Sequence, residues 1–257
     1  MKSFLHCNRP LITTLLFSSS VDGLLKEIAN AIAQGTDAFG LQIERVKKEI
    51  RTEENFIKLI SAMQDKPCYV TCYKRGDVEE ESDEERCGYI LLALKCGAVL
   101  ADVRADLFDA RDGEFSLNKT AVKRQKEFVK QIHDMGKEVV ISSHTVYGGK
   151  FKFLPKEQVL KIALEQQRRG ADIAKIVTNA DTEEELLENF ETIICLKQKV
   201  GIPTIFLCNG EKCLRHRMGC GLIYEPIVFA REKSICVKNS PQQPIEKLVE
   251  LFNETYG

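Results

Sequence analysis

Short apolar runs alternate with helical patterns along the whole chain, and this alternation is the strongest constraint on the fold. Eight runs have the length and the β-branched content of buried strands. They span Leu11–Phe17, Phe39–Ile43, Cys68–Tyr73, Ala98–Val103, Glu138–Ser143, Ile173–Val177, Pro203–Cys208 and Tyr224–Phe229. Eight strand–helix units in 257 residues have the size of a (β/α)8 barrel. The sequence therefore predicts an α/β fold of the TIM-barrel class.

The chain shows no break in composition and no linker, so we expect a single barrel domain over residues 1–257. A doubly wound open sheet is the rival architecture, but it normally has a glycine-rich turn after its first strand. Here that turn is Ser18-Ser19-Ser20. The run Leu11–Phe17 is too short and too rich in threonine for a signal peptide, so we interpret it as the first strand.

Three further segments are interpreted from their local pattern. The stretch from Pro155 to Gly170 begins with proline and ends with glycine, which predicts a helix. The charge-rich stretch from Lys74 to Arg86 predicts a solvated loop that runs into a helix. The basic stretch after the seventh strand, from Gly210 to Arg217, predicts another loop.

Composition excludes several classes of partner. The 37 basic and 38 acidic residues nearly cancel, which argues against a nucleic-acid or acidic-membrane partner. No apolar run approaches the roughly 20 residues of a membrane span. Ten cysteines in a chain of this length, most of them inside apolar runs, indicate a reducing, cytoplasmic setting. One group, Cys208, Cys213, His216 and Cys220, has ligand types suited to zinc, but its spacing is not that of a standard knuckle and we predict no metal.

A lysine interrupts the sixth predicted strand, where every residue should be apolar. Lys175 lies in the run Ile173–Val177, and burial of its ammonium group is costly, which favours the uncharged amine. An uncharged lysine is a nucleophile that can form an imine with a ketone. The fifth strand ends at His144, an acid/base residue on the neighbouring strand. Each residue alone has a plainer interpretation as a lysine that reaches water or a histidine that ends a strand.

Active sites of (β/α)8 barrels lie at the carboxyl ends of the strands, and polar residues occupy most of these ends. These residues are Gln42, Glu44, Tyr73, Asp77, Asp102, Arg104, His144, Lys175, Glu211, Lys212, Arg215, His216, Arg217, Asn239, Gln242 and Gln243.

Four blocks of sequence resemble the type I 3-dehydroquinate dehydratases, Schiff-base enzymes of the shikimate pathway. The blocks are Ser142-Ser143-His144, Gly170–Lys175, Gly210–Arg217 and Ser240–Gln243. Their order and spacing carry the resemblance, which extends over the whole chain.

The resemblance implies a barrel lyase that converts 3-dehydroquinate to 3-dehydroshikimate without a metal or an organic cofactor. Lys175 would form the imine with the ring ketone, and His144 would be the general base and then the general acid. Arg217 would bind the substrate carboxylate, and Gln243 would bind a ring hydroxyl. Asp77 falls near the glutamate that orients the histidine. The resemblance also suggests a homodimer.

Several strand ends depart from the family pattern. A Glu-x-Arg pair usual after the second strand is Gln42-Ile43-Glu44, and an arginine usual after the third strand is Tyr73. The serine of the last loop aligns with Asn239, and Arg104 stands at a position that tends to be acidic. Because these departures fall on substrate contacts, the reaction type is better supported than the substrate.

Two alternatives remain open from the sequence. An aldolase-like Schiff-base lyase would act on another keto acid, although the eighth strand lacks the glycine-rich end typical of a phosphate site. A barrel that has lost its substrate would be a binding or regulatory protein. Individual residues also have plainer interpretations, since Arg217 and Asp77 fit solvated segments and Gln243 fits the start of the last helix.

Overall fold

The computed structural model describes residues 3–74, 81–221, 225–235 and 240–256, except for the side chains of residues 220 and 221. The strands within these ranges are β1 Leu11–Leu16, β2 Ala38–Gln42, β3 Cys68–Thr71, β4 Leu100–Arg104, β5 Glu138–His144, β6 Val146–Tyr147, β7 Lys150–Phe151, β8 Ile173–Asn179, β9 Thr204–Asn209, β10 Ile227–Arg231 and β11 Gln243–Pro244.

The α-helices follow the main strands in alternation. They are α1 Val21–Ala33, α2 Glu53–Ala62, α3 Asp83–Lys95, α4 Lys119–Asp134, α5 Lys156–Arg168, α6 Glu183–Lys199, α7 Cys213–Gly221 and α8 Ile245–Tyr256. Over the described ranges, no helix combines the length and the apolar character that a membrane span requires.

Two compact units make up the chain. The first comprises Met1–Asp102 and Val228–Gly257. Its strands lie in the order β11-β10-β1-β2-β3-β4. The pairs β1–β2, β2–β3, β3–β4 and β10–β11 are parallel. The expected single domain over residues 1–257 stays a prediction.

The second unit is Val103–Ile227 and contains the parallel strands β5-β8-β9. One face of β8 and β9 packs on α5 and α6 through a buried apolar cluster. The cluster contains Leu154, Val159, Ile162, Ala163, Ala174, Ile176, Ile193, Leu196, Val200 and Phe206. An antiparallel hairpin, β6–β7, follows β5 directly.

Local sequence signals set the helix starts. Thr182 accepts a hydrogen bond from the backbone N–H of Glu185, whose carboxylate accepts from the backbone of Thr182. This reciprocal cap satisfies two unpaired backbone donors of α6. The same arrangement joins Ser82 and Glu85 at α3. Helix α5 begins directly after Pro155, as the sequence predicts.

The stretch after β9 is a helix, α7, and the predicted loop is wrong there. Its glycines and charges give a weak helical pattern, so tertiary packing must stabilise the helix. His216 provides such packing, because its fully buried ring lies between Phe190 and Phe206 with centroid distances of 5.8 and 5.5 Å.

The charge-rich stretch before α3 is also less solvated than predicted. Glu81 and Arg86 are both buried. Glu81 pairs with the buried Arg51 guanidinium at 2.7 Å, and its backbone carbonyl accepts from Arg86. Residues 75–80 lie outside the described part of the chain.

A buried arginine organises the second unit. The Arg169 side chain is 1% exposed, and its Nη1 donates to the carbonyl of Ala105 at 2.7 Å and to Gln125 Oε1 at 3.0 Å. Nη2 donates to the carbonyl of Ser116, and Nε pairs with Glu165 at 2.8 Å. Both ends of the loop between β4 and α4 are therefore held by one guanidinium.

Replacing this arginine should destabilise the protein strongly. Arg169→Met should lower the free energy of unfolding by about 3–5 kcal/mol, because two carbonyls and Glu165 lose a buried cation. The matched control is Arg168→Met, whose side chain is 61% exposed and pairs with the same Glu165. That change should cost about 1 kcal/mol or less. Urea unfolding of both variants measures the difference, and equal losses would contradict the organising role of Arg169.

Candidate active site

Lys175 projects from the face of β8 that points away from the helices. Its neighbours Ala174 and Ile176 belong to the apolar cluster with α5 and α6. Because side chains alternate between the two faces of a strand, Lys175 must point to the opposite face. It is 5% exposed there, in keeping with the buried setting expected from the sequence.

His144 shares this face. Strands β5 and β8 are paired so that Ser142 lies beside Lys175 and His144 lies beside Val177. Paired residues of parallel strands project to the same side, and so do residues two apart on one strand. His144 therefore lies on the lysine's face, about 7 Å further toward the carboxyl end of the sheet.

A glutamate orients His144, but it is not the residue that the sequence indicates. Glu114 Oε2 lies 2.6 Å from Nδ1 of His144 and accepts the backbone N–H of His144 at 3.1 Å. Burial alone would raise the pKa of Glu114, but His144 and Arg104 outweigh it and lower that pKa. The ionised carboxylate is only an acceptor, so Nδ1 carries the proton and Nε2 carries the lone pair.

The backbone around Glu114 has an unusual conformation. Gly113 has φ +75° and Glu114 has φ +47°, both in the left-handed region. A Cβ atom on Gly113 would collide with the hydroxyl of Tyr147 in the hairpin. Only glycine fits between the hairpin and this loop, and the turn it permits directs Glu114 at the imidazole.

Asp77, the predicted orienting residue, lies outside the described part of the chain, as does Asn239. Sequence reasoning missed Glu114 because it followed strand ends, and Glu114 lies ten residues beyond Arg104 in the loop after β4. The one available signal was Gly113, which permits a left-handed turn before an acidic residue.

Arg104 lies beside this pair. Its guanidinium makes a two-pronged contact with the buried Asp106 at 2.9 and 2.7 Å, and its Nε is 3.9 Å from Glu114 Oε1. A cation at this normally acidic position therefore helps to keep Glu114 ionised.

In the first unit, the predicted substrate-binding residues are engaged with protein groups. Gln42 Nε2 donates to the carbonyl of Leu16 at 2.8 Å. The buried Glu44 accepts from the hydroxyl of Thr71 at 2.9 Å. It lies in a short 3₁₀ turn after β2.

Tyr73 stands where the family usually has an arginine, and it binds an acid. Its hydroxyl donates to Oδ2 of the buried Asp102 at 2.6 Å, and the Tyr69 hydroxyl donates to the same oxygen. Burial, with the Asp102 charge, raises the pKa of Tyr69 well above its ordinary value. Two phenols thus stabilise one carboxylate at the end of β4.

Arg217 and Gln243 are also held by neighbours. Arg217, on α7, donates from Nε to the carbonyl of Cys208 at 2.9 Å and from Nη2 to Asn209 at 3.1 Å. It therefore lies at the carboxyl end of β9. Gln243 donates to the carbonyl of Ser240 and accepts from Lys247 just before α8. Their substrate-binding roles stay predictions.

The cysteine–histidine group does not form a metal centre within the described residues, where no three candidate ligands converge. Burial lowers the pKa of His216 to about 3, so its ring is neutral. Both of its ring nitrogens are buried without a hydrogen-bond partner in the described structure. The Cys220 side chain lies outside that structure.

Removing the Glu114 charge should change the tautomer of His144. In Glu114→Gln, the carboxamide can donate as well as accept, so the preference for a proton on Nδ1 is lost. The imidazole ¹⁵N shifts at neutral pH should move toward a mixture of tautomers. Glu157→Gln, an exposed change on α5, should leave them unaltered. Unchanged shifts in Glu114→Gln would contradict the assigned tautomer.

Comparisons with known proteins identify the family and the fold. A sequence model described as type I 3-dehydroquinase matches residues 12–257. The bifunctional 3-dehydroquinate dehydratase/shikimate dehydrogenase of Arabidopsis thaliana is 26% identical over 252 residues. The match covers 96% of this chain and 37% of that protein, so this chain spans little more than a third of it. The 3-dehydroquinate dehydratase of Clostridium novyi is 25% identical over 238 residues, which cover 91% of this chain and 85% of that protein.

Solved structures show the same fold. The 3-dehydroquinate dehydratase of Geobacillus kaustophilus superposes with a TM-score of 0.79 at 16% identity, covering 98% of this chain and 94% of that one. The type I enzyme of Clostridium difficile, solved with covalently modified comenic acid, gives 0.80 at 18% identity with the same coverage. The predicted α/β barrel class is therefore confirmed, and the chain belongs to the type I 3-dehydroquinase family.

Proposed function

We propose that this chain is a 3-dehydroquinate dehydratase, a lyase of the shikimate pathway that acts through a lysine Schiff base. One observation carries the proposal. The buried Lys175 and the Glu114-bound His144 project from the same face of neighbouring strands. Family membership and the name of the Clostridium novyi relative supply the substrate.

The first half of the reaction joins the substrate to the chain. The uncharged Lys175 amine attacks the ring ketone, and the resulting carbinolamine takes up a proton from solvent and loses water to give a cationic imine. Hydrolysis of the imine at the end of the reaction returns this proton. The imine withdraws electrons from the adjacent carbon, so its C–H becomes acidic. Nε2 of His144 takes this proton, and the Glu114 carboxylate stabilises the imidazolium that forms.

The second half expels the hydroxyl group. The electrons left on the adjacent carbon form an enamine, and their return drives out the hydroxyl on the next carbon. The imidazolium of His144 gives its proton to this hydroxyl, which departs as water. Hydrolysis of the conjugated imine then releases 3-dehydroshikimate and restores the Lys175 amine. One water is lost overall, and no redox partner is required.

The binding roles complete the proposal. Arg217, at the end of β9, is the expected partner of the substrate carboxylate, since a guanidinium matches a carboxylate well. We assign binding of the substrate's ring hydroxyls to five residues, Gln243, Asn239, Gln42, Glu44 and Tyr73. The Tyr73–Asp102 pair supports a hydroxyl-binding role, because a phenol that donates to a carboxylate can still accept a hydrogen bond. We assign support of His144 to Glu114 in place of Asp77.

We further propose a homodimer in the cytoplasm. The dimer rests on the family resemblance alone. The compartment is supported by the eight described cysteines, all of which are free thiols. Free thiols are typical of a reducing compartment.

Borohydride trapping tests the proposal directly. Incubation with 3-dehydroquinate and borohydride should add the mass of one reduced ligand at Lys175, because reduction makes the imine permanent. Lys175→Ala should abolish the adduct, whereas Lys137→Ala should retain it. Lys137 is a suitable control because burial lowers its pKa, yet it lies at the opposite end of β5 from His144.

The histidine is tested with the same reagents. His144→Ala should still form the adduct but should lower turnover by 10²-fold or more, a typical contribution of a general acid/base. Turnover is followed by the absorbance of the conjugated enone. An adduct with another keto acid but no turnover of 3-dehydroquinate would favour the aldolase-like lyase. No adduct with any ketone would favour a non-catalytic barrel.

A further inference from the structure

A buried glutamate that interacts electrostatically with Lys175 is not used by the chemistry described above. Glu225 lies two residues before β10 and is 4% exposed. Its Oε1 accepts the backbone N–H of Phe206 at 2.8 Å. Its Oε2 is equally buried and has no hydrogen-bond partner among the described residues.

The backbone register places this carboxyl at the level of Lys175, on the outer edge of the next strand. Phe206, whose N–H anchors Glu225, follows Ile205 on β9, and Ile205 is the register partner of Lys175. Ile205 projects to the same side as Lys175, because paired residues of parallel strands share a face. The N–H of Ala174 on β8 donates to the carbonyl of Pro203, so the N–H of Phe206 points to the opposite edge of β9, and this one strand separates the anchored carboxyl from β8.

Two basic side chains among the described residues interact electrostatically with Glu225. They are Arg217 on α7 and Lys175 on β8. The nearby Cys208 thiol is neutral, because burial raises its pKa to about 12. Burial raises the pKa of Glu225 to about 8, against the opposing effects of the Phe206 N–H, Arg217 and Lys175. The side chain is therefore a neutral acid at pH 6 and a carboxylate at pH 9.

We infer that Glu225 is a positioning residue for Lys175, and that its carboxylate stabilises the cationic imine formed there. This inference rests on the proposed Schiff-base function. A cationic imine in a buried site has lost its hydration and requires a counter-charge. Glu114 is bound to the imidazole, whereas Glu225 keeps one oxygen without a partner. No atom is transferred, since Glu225 acts only through its charge.

The pH dependence of imine formation separates this role from a structural one. Glu225→Gln keeps an oxygen that can accept the Phe206 N–H but cannot become charged, so it imitates protonated Glu225. The fraction of protein trapped by borohydride at a fixed, subsaturating 3-dehydroquinate concentration is measured from pH 6 to pH 9.5. Wild type and Glu225→Gln should agree at pH 6. Above pH 8 the wild type should retain about fivefold more imine, because only it gains an anion near the cation.

Matched variants control for burial and for folding. Glu27 is also buried, accepts the backbone N–H of Phe17 at 2.7 Å, and has a pKa raised by burial. Glu27→Gln should therefore follow the wild-type curve at every pH. Glu225→Asp keeps an ionisable group, so above pH 8 it should trap more imine than Glu225→Gln.

If Glu225→Gln does not fold, Glu225→Asp is compared with the wild type instead. The inference is then overturned if the fraction of trapped imine does not increase above its pH 6 value in these two proteins.

The remaining outcomes overturn the inference in distinguishable ways. A deficit of equal size at all pH values would mean that Glu225 only holds the edge of β9. Identical curves for wild type and Glu225→Gln would mean that its charge does not reach the imine. Absence of any adduct in the wild type would overturn the proposed function itself, and the inference with it.

Discussion

The buried guanidinium of Arg169 is the interaction on which the site geometry depends. It joins the carbonyls at both ends of the loop after β4 and is itself balanced by Glu165. Between these ends the loop contains three residues with positive φ, Phe108, Gly113 and Glu114, and it presents Glu114 to His144. A cation buried without full hydrogen bonding would be costly, but here its donors meet carbonyl and carboxylate oxygens. The geometry of the candidate site thus depends on core electrostatics some distance from His144.

Buried and half-buried acids recur in both units of the chain, and each is stabilised differently. Glu114 is kept ionised by an imidazole and a guanidinium. Asp102 accepts two phenols, and Glu44 accepts a threonine hydroxyl. Glu225 has a single backbone donor, and its pKa rises accordingly. The lowered pKa of Glu114 thus accompanies several favourable partners, whereas the single donor of Glu225 leaves burial to raise its pKa.

The two residues proposed for the bond chemistry could be singled out from the sequence because they interrupt a regular pattern. Lys175 stands in an apolar run, and His144 ends one, so strand periodicity alone brought both to one region of the fold. The strands agree with the prediction to within about three residues at each end. What periodicity could not show is pairing between residues that are distant in sequence. Glu81 belongs to a run of acids that the sequence predicts to be solvated, but in the structure it is buried and paired with Arg51.

Irregular backbone explains the other failures of prediction. Glu114 lies in a loop whose path is set by Arg169, and no local preference indicates that path. Helix α7 has glycines near its end and little apolar pattern, so its formation depends on the His216 ring packed between two phenylalanines. In both cases tertiary contacts decide the conformation, and these contacts are invisible in a single sequence.

The contact between Tyr147 and Gly113 links the β6–β7 hairpin to the loop that holds Glu114 against His144. The hairpin turns through Gly148 and Gly149, both with positive φ, and it carries the aromatic ring that covers Gly113. A larger residue at position 113 would push the Tyr147 ring away and displace the backbone that leads directly to Glu114. The alignment of the carboxylate with the imidazole thus depends on the space under one aromatic ring.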